Sequence, residues 1–222
     1  MTPEEIGIVA ANHQAAFRCA KAGLVTRIVL PDGSPVGSNY DASARSDVLG
    51  TVLKLDHRAL PAIELASAKL IGLEVEPGAA SAFIDMLAGY GAVCPVTVTP
   101  GGASIFYFRR SDDVTFDPDH LPAGIALRAE RSPAPGAASR GGKWQPLDTA
   151  HDLIRAVETG EVPELPAWLG CFLRGEPLPM LESPAVVLPE TMPTKATGER
   201  CGSCRFFRAG EVATKGTCAS LP

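Results

Sequence analysis

The sequence predicts an α+β fold, and three observations carry that prediction. Residues 4–22 place Ile6, Val9, Ala10, His13, Phe17 and Ala20 near helical spacing, behind a Thr2/Glu5 capping-box pattern and ahead of Gly23, a residue suited to ending a helix. Short apolar runs at 24–30 and 69–75 are closed by turn chemistry, Pro31-Asp32-Gly33-Ser34-Pro35 and Glu76-Pro77-Gly78. Runs at 96–99 and 104–109 flank Pro100-Gly101-Gly102, which reads as a hairpin. Helix, strand, helix and hairpin follow one another with no internal repeat.

The remaining elements follow in order. Residues 41–68 read as helical in two pieces, the second starting at Pro61. Residues 79–89 read as a helix with Phe83, Met86 and Leu87 on one face. A further strand is expected over 121–128, and a loop of small, slightly basic residues over 132–143. Short helices are expected at 150–158 and 166–173. Proline-rich residues 175–198 read as an extended linker, and 199–222 as a cysteine-bearing tail, which leaves 1–174 as the folded domain.

Composition bounds the function. With 45% apolar residues in 222, the chain has enough material for a core, which excludes wholesale disorder. The longest apolar runs fall short of the ~18 residues a membrane span needs. The N-terminus opens acidic, with no basic segment before an apolar block, so a cytosolic location is expected. A net charge of −5 excludes nucleic-acid binding by bulk charge, and leaves only a local basic patch to do it. Arg109, Arg110, Arg128, Arg131, Arg140 and Lys143 are the candidates for such a patch; a solvated basic rim is the alternative.

Four stretches hold residues that carry chemistry. In Glu74-Val75-Glu76, carboxylates two apart on a strand share a face and repel unless a divalent cation or solvent neutralises them. Thr97 to Arg109 carries Gly101, Gly102 and Ser104, then an aromatic run with Phe106 and Phe108 on one face and Tyr107 on the other. Residues 122–130 hold Ala126, Arg128 and Glu130 at strand spacing. In the tail, Cys201-x-x-Cys204 followed by Cys218 suits a tetrahedral Zn²⁺ knuckle. An iron–sulfur group or a plain thiol pair fits the same spacing. The fourth ligand is not visible; Cys171 or a residue beyond Pro222 are the candidates. Cys19, Cys94 and Cys171 read as buried thiols. His13, His57, His120 and His151 have no partners at triad spacing, and no phosphate-binding Gly-x-x-x-x-Gly-Lys-Ser/Thr loop is present.

Taken in order, these features run from an apolar strand with paired acids to Thr-Pro-Gly-Gly-x-x-x-x-Tyr-Phe-Arg. Gly-Ile-x-Leu-Arg and a small-residue loop ending in Lys-Trp come after. The series resembles the primase–polymerase N-terminal domain of the archaeo-eukaryotic primase superfamily, over roughly residues 12–172. That resemblance implies two small α+β halves around a cleft and a replication protein of phage or mobile-element type. It implies nucleotidyltransferase chemistry with Mg²⁺ or Mn²⁺ on Glu74 and Glu76. Ser104, Arg128, Gly101 and Gly102 would face a nucleoside triphosphate, and the partners would be a template strand and a separate helicase.

The motifs depart from the family's pattern. Glu replaces Asp at 74 and 76, Ser104 stands where the family has His, and Ala126 stands where it has an acid. Displacements of this kind cost on the order of 10²-fold in phosphoryl transfer. The expectation is therefore a domain with weakened or lost synthesis. The alternative is a non-catalytic nucleic-acid- or protein-binding module acting through the tail.

Overall fold

The computed structural model describes residues 1–36, 41–89, 93–110 and 121–176. Met1–Leu181 forms one compact unit. Residues 182–222, with the expected Cys201, Cys204 and Cys218 cluster, lie outside the described residues.

Helix α1 (Pro3–Lys21) starts as the sequence dictates. The Thr2 side chain accepts from the Glu5 amide and the Glu5 side chain accepts from the Thr2 amide, so two orphan donors are satisfied at once. Gly23, at φ +73°, then turns the chain into β1 (Thr26–Val29). Helix α2 (Ser46–Leu53) follows, and β2 (Leu60–Glu64) pairs antiparallel with β1.

The β2 segment corrects the expectation of a helix from Pro61. Proline suits the first turn of a helix, but its fixed φ also suits the start of a strand, where one missing donor costs little. Here the Pro61 carbonyl accepts from Ala134, and Ile63 and Leu65 are fully buried between the sheets.

Strands β3 (Leu70–Val75), β4 (Val96–Val98), β5 (Ser104–Arg109) and β6 (Ile125–Arg128) build the second sheet, with helix α3 (Pro77–Gly89) between β3 and β4. The β4–β5 hairpin forms as read, with Gly102 at φ +84° donating to the Thr99 carbonyl. The loop expected over 132–143 is instead partly strand: β7 (Arg131–Pro133), β8 (Ala138–Ser139) and β9 (Gly142–Lys143), with β10 (Gln145–Pro146) beyond it. Two- and three-residue strands leave no hydrophobic period to read. Helices α4 (Leu153–Thr159) and α5 (Ala167–Leu173) close the described chain.

The sheets are ordered β1-β2-β7 and β10-β4-β5-β3-β6, with a β8–β9 pair beside them. Apolar alternation sorts the layers. Ile71, Leu73, Val75, Phe106 and Phe108 pack with α3 and α5. Ile105 and Tyr107, on the other face of the second sheet, meet Leu60, Ala62 and Ile63 of the first. Ile28 and Ala59 pack with Ala16 of α1 and with Leu49, Val52 and Leu53 of α2. The result is an α+β fold in which two sheets face one another across a shared core. Strand β6 ends at Arg128 and β7 begins at Arg131, so two residues carry the chain from an edge of one sheet to an edge of the other.

Candidate functional site

A groove of about 1150 Å³ opens between the two sheets. One wall comes from the end of β1, the Pro31–Gly33 turn and β2. The other comes from Glu74 on β3, the Thr99–Gly101 turn and β6.

Its lining includes an ion pair that the strand register builds. Glu74 lies directly opposite Ala126, and Arg128 directly opposite Gly72. Both direct partners are small, so the long side chains meet on the diagonal, a separation that long side chains span. Arg128 Nε donates to Glu74 Oε2 at 2.6 Å, and Nη2 reaches the same oxygen. Gly72 makes the room: a Cβ there would stand 3.2 Å from Ile105 Cγ2 and 3.4 Å from Arg128 Cβ.

The other expected site residues divide. Gly101 and Glu130 line the groove with Glu74 and Arg128; Glu76, Gly102 and Ser104 do not. Strand β3 stops at Val75, and the exposed Glu76 leads into α3, its carbonyl accepting from Ala79 and Ala80. Ser104 pairs with Val75, on the face that packs against α3, so it lies across the sheet from Glu74. The structure therefore brings the acid and the guanidinium together and leaves the second acid and the hydroxyl elsewhere.

The basic patch is smaller than expected. Arg128 and Arg131 line the groove, whereas Arg109, Arg110, Arg140 and Lys143 do not. Arg109 donates to the Gly160 carbonyl at 3.0 Å, and Arg140 donates to Glu5 Oε1 at 2.7 Å. Asp32, Glu74 and Glu130 are the acids of the lining. The Ser34 hydroxyl and amide hold the Asp32 carboxyl below its ordinary range, so it is ionised at neutral pH.

Mg²⁺ or Mn²⁺ needs several hard oxygen donors converging on one point. The described residues do not supply them. Glu74 is bonded to Arg128, Ala126 offers no donor, and Glu76 lies outside the lining. Among the described residues no group of three or more His, Cys, Asp and Glu converges to hold a metal ion.

Sequence reasoning does not single out Gly72 or Trp144. Gly72 carries a signal, a glycine inside an otherwise apolar strand, which marks a close approach. Trp144 lines the groove half-buried, and nothing in its local sequence places it there.

Of the histidines, His57 sits 3.8 Å from Glu5 and His151 Nδ1 is 2.8 Å from Asp148, while His120 lies outside the described residues. Cys19 and Cys94 are buried free thiols, and Cys171 is half-buried. Among the described residues no helix is long and apolar enough to cross a membrane. No family model matches the chain, and no curated protein matches it.

Proposed function

We propose that the chain is a primase–polymerase-like replication protein of phage or mobile-element type in which template-directed synthesis is weakened or lost. One observation carries this reading: two strands far apart in sequence and paired in one sheet set Glu74 and Arg128 in the same groove between two facing sheets. The departures from the family's pattern support the loss. Phosphoryl transfer depends on placed metal ions and a positive clamp. In this groove Glu74 is committed to Arg128, and Ala126 supplies no ligand.

On this reading the groove faces a nucleotide or a template strand, a separate helicase supplies unwinding, and the protein works in the cytoplasm. The tail cysteines Cys201, Cys204 and Cys218 take Zn²⁺. If the groove is silent, the same ion pair favours a non-catalytic binding module acting through that tail.

Primer extension tests the reading, with a labelled primer–template in Mg²⁺ or Mn²⁺. The expected outcome is trace product or none, alongside single-strand binding that Arg128→Ala weakens. Robust extension abolished by Glu74→Ala with Glu76→Ala overturns the loss of synthesis. Absence of any nucleotide or strand binding overturns the replication reading itself. Metal analysis of the full chain against Cys204→Ser checks the tail; equal, near-zero zinc in both removes it.

A further inference from the structure

The chemistry of the groove narrows what it takes. Its lining sets three carboxylates (Asp32, Glu74 and Glu130) against two guanidiniums, Arg128 and Arg131. Neither cation is idle: Arg128 bonds Glu74, and Arg131 reaches Glu64 at 3.8 Å and Glu130 at 3.9 Å. A polyphosphate would meet an excess of like charge, and each guanidinium would have to leave a carboxylate to receive it. Among the described residues no converging donor set is present to bring in a divalent cation as an offset.

Most of the other lining is apolar, with Leu30, Leu60, Ile125 and Leu127 among it, and Trp144 is the sole aromatic side chain among the described lining residues. Trp144 is held in place by its backbone: its amide donates to Ala137 at 2.9 Å and its carbonyl accepts from Gly136 at 2.6 Å. One side of it packs against the core between the sheets, and it also borders the groove. An indole that packs against the core and borders the groove is suited to stack on a flat heterocycle. Arginine and glutamate are also side chains that read base edges, the one as donor and the other as acceptor. A groove of about 1150 Å³ has room for such a ring with its sugar, since small-molecule sites run from about 300 to 1,000 Å³.

We propose that the groove binds a nucleobase stacked on Trp144, and accepts a nucleoside or an unpaired base of a strand without a divalent cation. This rests on the reading that the groove faces nucleotides. It adds that the base, rather than the phosphates, carries the recognition.

The chain has two tryptophans, and Trp168 packs against the far side of the five-stranded sheet. Fluorescence of full-length Trp168→Phe therefore reports Trp144 alone. It is titrated with the common ribo- and deoxyribonucleosides, their triphosphates and a short single-stranded oligonucleotide, each in Mg²⁺ and in EDTA. Should that variant not fold, wild-type titrated beside Trp144→Phe reports the same difference. Nucleosides are expected to quench Trp144, to bind within about threefold of their triphosphates, and to be indifferent to EDTA. Trp144→Leu is expected to weaken binding, followed by equilibrium dialysis, about tenfold or more. Triphosphates binding tenfold tighter than nucleosides, or only with the cation, overturn the inference and leave the replication reading standing. Binding that leaves Trp144 fluorescence and the Trp144→Leu affinity unchanged does the same. Binding of no nucleoside, nucleotide or oligonucleotide overturns both.

Discussion

The Tyr107 hydroxyl on β5 and Ser132 Oγ on β7 meet at 2.8 Å, fully buried, and this hydrogen bond joins the two sheets beneath the groove. Burial pushes the Tyr107 phenol above its ordinary range and the Ser132 bond opposes that rise, so the group stays neutral. Tyr107→Phe leaves the serine hydroxyl without its partner. The expected cost is about 1 kcal/mol in urea unfolding. Adding Ser132→Ala should cost less than the sum of the two single changes, because the stranded partner is then gone as well.

Gly72 is the spacer under the ion pair. Gly72→Val puts a branched side chain against Ile105 and Arg128 at distances that already crowd a single Cβ. The expected loss is about 1–3 kcal/mol by chemical denaturation. The Glu74–Arg128 bond should lengthen with it. A double-mutant cycle on Glu74→Ala and Arg128→Ala should then give a smaller coupling energy in the Gly72→Val background than in wild type.

Asn12 ties the first helix to the entry of β2 and to β8. Its side-chain amide donates to the carbonyls of Ala59 at 2.8 Å and Ala138 at 3.0 Å, and its oxygen accepts from the Ala138 amide at 2.7 Å. Asn12→Ala orphans three buried backbone groups at once. A loss on the order of 3 kcal/mol is expected, read as a fall in thermal midpoint and as faster amide exchange at Ala138.

Cys19 and Cys94 are pushed up to about 12 by burial, from a usual thiol value of 9.0. A thiol whose folded pKa is raised stabilises the fold fully below its unfolded pKa, and that contribution is lost as pH rises from about 9 toward 12. Stability should therefore decline on the alkaline side, and less steeply in Cys19→Ala. At pH 8, iodoacetamide should leave both cysteines unmodified in the native chain and alkylate them in guanidinium, as peptide mass spectrometry would read.

Helix α1, strand β3 and the β4–β5 hairpin were legible because each carries a local signal: a capping box, an apolar run closed by Pro-Gly, a Gly-Gly turn. β2 was not, since Pro61 fits the start of either element and only pairing on both sides decides between them. The same divide runs through the site. Strand spacing put Glu74 on one face of β3 and Arg128 on one face of β6, and the register aligned the two faces. Ser104 drew its expected role from its place after Gly101-Gly102 in the motif order, whereas strand alternation sets it with Phe106 and Phe108 on the face toward α3. A one-residue offset moves a side chain through the sheet. The basic patch failed for another reason. Arg140 spends its charge on Glu5, far away in sequence, and no local pattern announces that pairing.

The two-residue passage from Arg128 to Arg131 has a consequence for selectivity. A link so short leaves the sheets no hinge, and the Glu130 carbonyl is itself pinned by the Leu65 amide at 2.8 Å. The two sheet edges are thus held at a set spacing beside the groove, and on the proposed reading that spacing gauges the thickness of the base it takes. Lengthening that passage by even one glycine would trade this fixed gauge for a jaw.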